Sequence, residues 1–184
     1  KNILIGPPLR DTASEILGSK YQNKLDEFVK MFIEMHDKQA IRHTQPYPNV
    51  IETLKKLNEK KIFMAIATNK RKEPTFKLLK HFGWEDYFIS IECSDSEKSM
   101  RNKDEMIQDI LNNESSFNEA FFVGDTVNDG ISANLNQLKF IRANYGYGVN
   151  QDWSNININK TIWTFAELES IFKTLKIHKK QEGN

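Results

Sequence analysis

The sequence holds a single cysteine, Cys93, among its 184 residues. One thiol excludes an internal disulfide framework and a zinc site built from several cysteines, and it favours a reducing compartment such as the cytoplasm. The sequence also has almost no excess of either charge. Its 26 Lys and Arg residues balance 25 Asp and Glu residues and leave a net charge of +1. A general polyanion binder needs a strongly basic excess, so we expect no nucleic-acid partner.

Long apolar runs are also absent from the sequence. A membrane-spanning helix needs about 20 consecutive apolar residues, so we expect no membrane partner. Hydrophobic residues make up 39% of the chain and charged residues 28%. This balance allows a sizeable core and excludes global disorder, which predicts one medium domain or a domain with a small insert.

The first 43 residues predict a helical unit. Apolar residues recur at helical spacing from Leu25 through Phe28, Val29 and Phe32, and no strand-like alternation appears between residues 11 and 42. Two prolines within three residues then break the pattern at residues 46–48. We therefore predict a small helical cap over residues 1–43 and a separate domain over residues 44–184.

Strands and helices alternate in this second part of the sequence. We predict strands at residues 62–67, 87–91, 120–123 and 138–143, and helices at residues 50–57, 75–81, 104–111, 129–135 and 165–175. The continuous apolar run at 62–67 predicts a strand buried on both faces, Asn49 is a candidate N-cap, and residues 150–160 are predicted to form a loop. The alternation predicts an α/β fold with a three-layer, open parallel sheet, which places ligands at the carboxyl ends of its strands.

The first candidate site follows the strand at 62–67. Thr68 and Asn69 offer a hydroxyl and an amide at a turn with free backbone N–H groups, a natural cradle for an oxyanion. A threonine that caps the next helix is the alternative interpretation.

The second candidate site follows the strand at 120–123. Asp125 and Asp129 are four residues apart, directly after Gly124, which we expect to let the backbone turn sharply. Two carboxylates in this context can converge on one hard cation such as Mg²⁺. The alternative is an Asp- and Asn-rich turn in which Asp129 is the helix N-cap.

The third candidate site is basic. Lys103 stands immediately before a predicted helix, where it could neutralise a phosphate and hold a neighbouring carboxylate ionised. Lys98 and Arg101 lie just upstream and are predicted to belong to an exposed charged loop, with Lys98 kept as the alternative functional lysine.

Two further features carry less chemistry. Gly146 and Gly148 indicate a tight loop near the sheet edge, and the GxGxxG dinucleotide fingerprint is missing. Cys93 has no neighbouring histidine or basic residue that would mark a reactive thiol.

Taken together, the order of these motifs resembles the haloacid dehalogenase superfamily. Its second, third and fourth motifs are matched by Thr68-Asn69, by Lys103 before a helix, and by Gly124-Asp125 with Asp129. The segments IGPPLR, PYPNV and FIRANYGYG resemble the phosphoglycolate phosphatase branch of that superfamily. The resemblance covers nearly the whole chain and implies a Rossmann-like core with a helical cap.

The resemblance also implies an activity. Members of the family hydrolyse phosphate monoesters through an aspartyl-phosphate, which implies a phosphatase of a small phosphorylated metabolite such as phosphoglycolate. Asp125 would bind Mg²⁺, Asp129 would support the metal or its waters, and Thr68 and the Asn69 backbone would hold the phosphoryl oxygens. Lys103 would screen the charge between phosphate and nucleophile. Within the cap, Arg10 is a candidate for contacting substrate.

One departure from the family pattern is substantial. The family's first motif, DxDGT after a central strand, supplies the nucleophile, and no Asp-x-Asp occurs in these 184 residues. A sheet without its central strand would leave unsatisfied backbone groups, so we expect a strand and motif loop in a further N-terminal segment. A non-catalytic phosphate- or metal-binding regulatory protein of the same fold is the alternative. A phosphoacceptor receiver-like domain fits less well, because residues 1–43 are helical and Asp125 comes late in the chain.

Overall fold

The computed structural model describes residues 9–95, 101–113 and 119–173. Its α-helices are α1 (Leu9–Leu17), α2 (Leu25–His43), α3 (Val50–Glu59), α4 (Lys72–Phe82), α5 (Lys103–Asn113), α6 (Val127–Leu135) and α7 (Leu168–Ile171). Its strands are β1 (Met64–Thr68), β2 (Phe88–Cys93), β3 (Phe121–Gly124), β4 (Lys139–Ala143) and β5 (Lys160–Ile162). Short 3₁₀ helices lie at Ser19–Lys24, Glu85–Tyr87, Tyr147–Asn150 and Phe165–Glu167.

Within the described residues all strand pairs are parallel, and they form two pieces of sheet. One piece pairs β1 with β2, and the other has the order β3-β4-β5. Helix α5 packs against β1 and β2 and also against α6, which in turn packs on β3 and β4. The predicted α/β class with parallel strands and flanking helices is therefore confirmed, and α5 bridges the two pieces.

The strand β1 is less buried than its sequence predicted. Ala65 is exposed, and Met64, Ile66, Ala67 and Thr68 are only half-buried. The prediction of a strand buried on both faces is wrong for the described structure. The physical reason is that β1, within the described residues, has a hydrogen-bonded neighbour on one side only, and the same holds for β3.

The described part of the first 43 residues is helical, as predicted. Helices α1 and α2 pack against each other around a 3₁₀ turn, and α2 also packs against α4. The division into a cap and a core domain stays a prediction. None of the described helices combines the length and apolarity that crossing a bilayer would require.

Helix α3 begins as the sequence indicated but without the expected cap. Its buried face carries Thr53, Leu54 and Leu57, at the spacing of one helical stripe. Asn49 precedes the helix with a left-handed backbone (φ 63°), a conformation that Asn tolerates better than most residues, and its side chain makes no capping hydrogen bond. Asn49 therefore occupies the predicted N-cap position, and its carbonyl accepts the Thr53 N–H (3.0 Å), but its side chain does not cap the helix.

The main core lies around β4 and β5. Its buried members are Leu57, Ile141, Ala143, Ile162 and Leu168. Residues 150–160 were predicted to form a loop, but β5 begins at Lys160 and pairs with β4. A strand of three residues is too short to show an alternating pattern, so the sequence carried no signal for it.

The chain beyond β5 also differs from the prediction. A single helix was expected over residues 165–175, whereas the structure has the 3₁₀ turn Phe165–Glu167 followed by the four-residue α7. Thr164 and Glu167 form a capping box at this turn, which begins the segment with tight 3₁₀ geometry. Residues 174 and 175 lie outside the described residues.

Truncating Ile162 tests this core. The side chain is fully buried, so Ile162→Ala should lower the free energy of unfolding by about 3 kcal/mol through lost burial and a residual cavity. Ile89→Ala, at a strand residue that is 42% exposed, is the matched control and should cost below about 1 kcal/mol. Urea unfolding measures both values, and equal losses would contradict the assigned core.

Candidate active site

The buried carboxylate of Asp129 is the centre of the candidate site. Asp129 is 3% exposed and lies in the first turn of α6, and its Oδ1 accepts a hydrogen bond from the Lys103 ammonium at the first residue of α5. The side chain of Lys103 is only 15% exposed. A buried charge is tolerated when it is paired and hydrogen-bonded, and here each partner meets that need for the other.

The second oxygen of Asp129 organises the turn that follows β3. Its Oδ2 accepts hydrogen bonds from the backbone N–H groups of Asp125 (3.1 Å) and Thr126 (2.9 Å) and from the Thr126 hydroxyl (2.8 Å). The Asp129 N–H in turn lies 3.3 Å from the Thr126 hydroxyl oxygen, which completes a capping box. Thr126 is therefore the N-cap of α6, and the alternative in which Asp129 is the N-cap is wrong.

The environment of Asp129 keeps it ionised. Burial alone would raise the pKa of this carboxyl, but the Lys103 ammonium and the hydrogen bonds from Thr126 outweigh burial and hold the pKa below its usual value. At neutral pH the Lys103–Asp129 pair is thus a buried salt bridge. The sequence had suggested a lysine that keeps a neighbouring carboxylate ionised, without identifying the carboxylate.

Gly124 serves this arrangement by its small size. A Cβ atom on Gly124 would lie 2.3 Å from the Asp129 Cβ, closer than two carbon atoms can approach. Its backbone is that of a strand residue and does not have a positive φ. The predicted reason, a sharp backbone turn, is therefore wrong, and close approach to Asp129 is the reason that the structure supports.

Asp125 directly follows β3 and keeps one oxygen available. Its Oδ2 accepts a hydrogen bond from the Tyr147 N–H (2.8 Å). Its Oδ1 accepts no hydrogen bond from the residues that the structure describes. Asp125 also lines a cavity of about 470 Å³, so this oxygen can take a ligand.

Thr68 ends β1, and the turn after it is pinned to the turn after β2. The Thr68 hydroxyl accepts a hydrogen bond from the Lys70 N–H (3.1 Å), and the Ser94 hydroxyl donates to the Asn69 carbonyl (2.9 Å). Thr68 is paired with Cys93 across the two strands. Thr68 and Asn69 therefore stand at the carboxyl edge of the β1–β2 piece, where a parallel sheet presents ligand-binding groups.

Other basic candidates lie differently. Arg10 forms an ion pair with Asp26 (2.7 Å) inside the helical segment, with both side chains exposed. Arg101, predicted to be exposed, is largely buried and bonds Glu92 (2.6 Å) and Asp109 (2.7 Å), so that prediction is wrong. Arg101 is buried because Glu92 on β2 and Asp109 on α5 lie on either side of its loop and both pair with its guanidinium group. Lys98 lies outside the described residues.

Three tyrosines near Asp125 were missed by the sequence reasoning. Tyr47 and Tyr145 meet edge to face with ring centroids 4.9 Å apart, and Tyr147 lines the same cavity. Burial raises the pKa of Tyr145 to about 12, and burial also raises that of Tyr47, with Asp125 adding to both shifts. Both phenols stay protonated at neutral pH, so neither is a candidate base. The YGYG sequence, which contains Tyr145 and Tyr147, was the one signal that could have pointed to two of these tyrosines.

A hydrated magnesium ion fits these residues through Asp125. Mg²⁺ keeps several waters and commonly binds protein through one or two carboxylates. Both oxygens of Asp129 are taken by protein donors, and within the described residues no three His, Cys, Asp or Glu side chains converge. Asp125 could therefore hold the ion directly, whereas Asp129 is placed to support it through the backbone of Asp125.

Comparison with known proteins agrees with this fold. Residues 2–143 match the family model described as haloacid dehalogenase-like hydrolase. A phosphoglycolate phosphatase of Psychrobacter arcticus is 27% identical over 154 residues, covering 82% of this chain and 66% of that protein. The pyrophosphatase PpaX of Halalkalibacterium halodurans is 30% identical over 126 residues, covering 68% of this chain and 57% of that protein.

Solved structures show the same architecture. A haloacid dehalogenase-like hydrolase from Streptococcus pneumoniae superposes with a TM-score of 0.80 at 21% identity, covering 91% of this chain and 78% of that one. The chain belongs to the haloacid dehalogenase-like hydrolase family, and the predicted likeness to phosphoglycolate phosphatases is confirmed. The chain spans between about half and two thirds of the length of the first curated relatives that it matches.

Replacing Asp129 tests the salt bridge through its pH dependence. Asp129→Asn leaves the Lys103 ammonium buried without a counter-charge and should cost about 3 kcal/mol of stability at pH 7. The folded-state pKa of Asp129 lies below the unfolded value of about 3.9. The contribution of the carboxylate is therefore complete above that pH and is lost as the pH falls through the folded-state pKa.

The measurement is urea unfolding of both proteins between pH 7 and pH 3. We expect the difference in stability between the parent and Asp129→Asn to shrink below about pH 4. Asp86→Asn, which removes an exposed carboxylate, should show no difference at any pH. A difference for Asp129→Asn that stays constant across the range would contradict the assignment.

Proposed function

We propose that this chain is the greater part of a magnesium-dependent phosphatase that hydrolyses a small phosphorylated metabolite. The observation that carries the proposal is the Lys103–Asp129 pair, which holds a buried cation and the turn of Asp125 together at one edge of the strands. A fixed positive charge beside an available carboxylate oxygen suits a phosphate and its counter-ion. Family membership supports the same reaction class.

Each of the candidate residues has a role in this proposal. Asp125 would hold Mg²⁺ through its carboxylate, and Asp129 holds the backbone of Asp125 and the Lys103 ammonium in place. Lys103 offsets negative charge on the bound phosphate, while the Thr68 hydroxyl and the backbone after β1 bind phosphoryl oxygens. Magnesium, when bound, would draw charge from the phosphoryl group and make phosphorus a better electrophile.

The nucleophile is proposed to lie on a strand beyond these 184 residues. Support comes from β1 and β3, which each lack a second neighbour within the described structure, and from the exposure of Ala65. The cavity beside Asp125 is also lined by Val123 and Gly124 of β3 and is otherwise largely apolar. A parallel strand between β1 and β3 would satisfy both edges.

A carboxylate at the end of that strand would complete the chemistry. Its oxygen would attack phosphorus as the bond to the leaving-group oxygen breaks, which forms an acyl phosphate. Water would then attack that intermediate, releasing inorganic phosphate and regenerating the carboxylate. The residues of this chain would bind and orient the phosphate during both steps.

The substrate class follows from the relatives and remains a proposal. The matched proteins include phosphoglycolate phosphatases and a pyrophosphatase, and both names denote small phosphate compounds. A small phosphomonoester similar to phosphoglycolate is the first choice, with Arg10 as the cap residue predicted to contact it. The proposed setting is the cytoplasm, which suits the single buried thiol of Cys93.

A non-catalytic phosphate- or metal-binding protein is the second candidate. The absence of any Asp-x-Asp from the sequence favours it. It differs from the phosphatase in a measurable way, because it would bind phosphate in the presence of Mg²⁺ and release no product. A screen of small phosphoesters with the full-length protein, with Mg²⁺ or with EDTA, separates the two.

Asp125→Asn provides the first test in that screen. Because it removes the carboxylate charge proposed to hold Mg²⁺, it should lower kcat/KM by about 100-fold or more at limiting Mg²⁺. Asp86→Asn is the control and should retain parental activity. Full turnover by Asp125→Asn at low Mg²⁺ would refute the metal assignment.

Lys103→Met provides the second test. It removes the ammonium proposed to offset phosphate charge, and we expect a loss of about 100-fold in kcat/KM. Lys77→Met, at an exposed lysine paired with Glu73 on α4, should have little effect. If Lys98→Met is damaging and Lys103→Met is not, then Lys98 is the functional lysine.

A further inference from the structure

We propose that the loop of residues 144–153, between β4 and the following segment, is a positioning element that orients Asp125 for its cation. The inference deepens the proposed function and rests on Asp125 being the magnesium ligand. The loop contains the YGYG sequence, to which the roles proposed above assign no part. Two of its backbone amides and both of its glycines contact Asp125.

The loop contacts Asp125 through two backbone amides. The Tyr147 N–H donates to the Asp125 Oδ2 (2.8 Å), and the Gly148 N–H donates to the Asp125 backbone carbonyl (2.9 Å). One bond orients the carboxylate and the other fixes the peptide that carries it. The carboxylate is thus held with one oxygen engaged and the other available to a ligand, which would reduce the ordering that cation binding requires.

Two glycines make this close approach possible. A Cβ atom on Gly146 would lie 2.2 Å from both the Cβ and the Oδ2 of Asp125, and one on Gly148 would lie 2.1 Å from the Asp125 carbonyl oxygen. Side chains at these positions would push the loop and the carboxylate apart. Glycine is therefore required at both positions because the backbone passes so close to Asp125. A tight turn by itself would not explain this requirement.

Gln151 holds the loop against α6, and Trp153 forms a hydrogen bond within the loop. The Gln151 Oε1 accepts a hydrogen bond from the Val127 N–H (2.7 Å), at the first residue of α6. The Gly148 carbonyl accepts bonds from the Gln151 N–H (3.0 Å) and from the Trp153 Nε1–H (2.9 Å). The loop therefore forms hydrogen bonds with Asp125 and with Val127, the residues on either side of Thr126. Gln151 is thus a positioning residue, which acts on the cation ligand only through the backbone.

The test measures Mn²⁺ binding to the full-length protein by electron paramagnetic resonance, because Mn²⁺ accepts the same oxygen ligands as Mg²⁺. Groups that orient a metal ligand typically change metal affinity by 10- to 100-fold when they are removed. We expect Gln151→Leu, which lacks the acceptor for Val127, to weaken Mn²⁺ binding by about 10-fold. Gln151→Glu keeps an acceptor and should bind within about twofold of the parent. Gly148→Ala should weaken binding at least as much as Gln151→Leu.

Gly18→Ala is the matched control for the glycine variant. Gly18 has a positive φ of 64° and no atom near its missing side chain, so alanine there strains the backbone without touching Asp125. It should lower thermal stability and leave Mn²⁺ affinity unchanged. Should Gly148→Ala fail to fold, the Gln151 pair decides the question.

The outcomes separate the two proposals. Loss of Mn²⁺ binding in Asp125→Asn together with parental affinity in Gln151→Leu and Gly148→Ala overturns the positioning role and leaves the proposed function standing. Parental Mn²⁺ affinity in Asp125→Asn overturns the metal assignment itself and the positioning role that rests on it. Equal weakening by Gln151→Leu and Gln151→Glu also refutes the positioning role, because the acceptor would then be irrelevant.

Discussion

The buried ion pair between Lys103 and Asp129 is the interaction on which the rest of the site depends. Asp129 accepts hydrogen bonds from Lys103 of α5 and from the Asp125–Thr126 turn between β3 and α6, so one carboxylate connects two segments that are distant in the sequence. A buried charge has a large desolvation cost unless such partners surround it. The folded arrangement of the turn after β3 is therefore coupled to the ionisation of Asp129, and the position of Asp125 follows from that turn.

The site also depends on the position of α5. It packs against β1 and β2 and against α6, and so it spans the two pieces of parallel sheet. Its first residue, Lys103, is paired with Asp129 in the first turn of α6, so this helix joins the β1–β2 piece to the turn after β3. The helix thus brings the charge of one segment to the carboxylate of another, a contact that parallel strands alone would not provide.

Much of the site was predictable because its signals are local. The spacing of Asp125 and Asp129 after a short apolar strand and a glycine indicated a carboxylate turn, and Lys103 before a helix indicated a lysine that holds a neighbouring carboxylate ionised. The reason for Gly124 was not predictable, since it depends on the Asp129 side chain folding back over the strand. Likewise, Arg101 has the sequence of an exposed loop residue, and only the convergence of β2 and α5 supplies its two acidic partners.

The sequence by itself determined the alternation of strands and helices, the parallel α/β class and the residue types at each strand end, because periodicity and turn residues are properties of neighbouring positions. Tertiary structure decided which oxygens of Asp125 and Asp129 are occupied, that β5 pairs with β4, and that the 144–153 loop touches Asp125. The pairing of β4 with β5 and the contact of the loop with Asp125 join residues about 20 positions apart, and such contacts depend on packing that no local pattern contains.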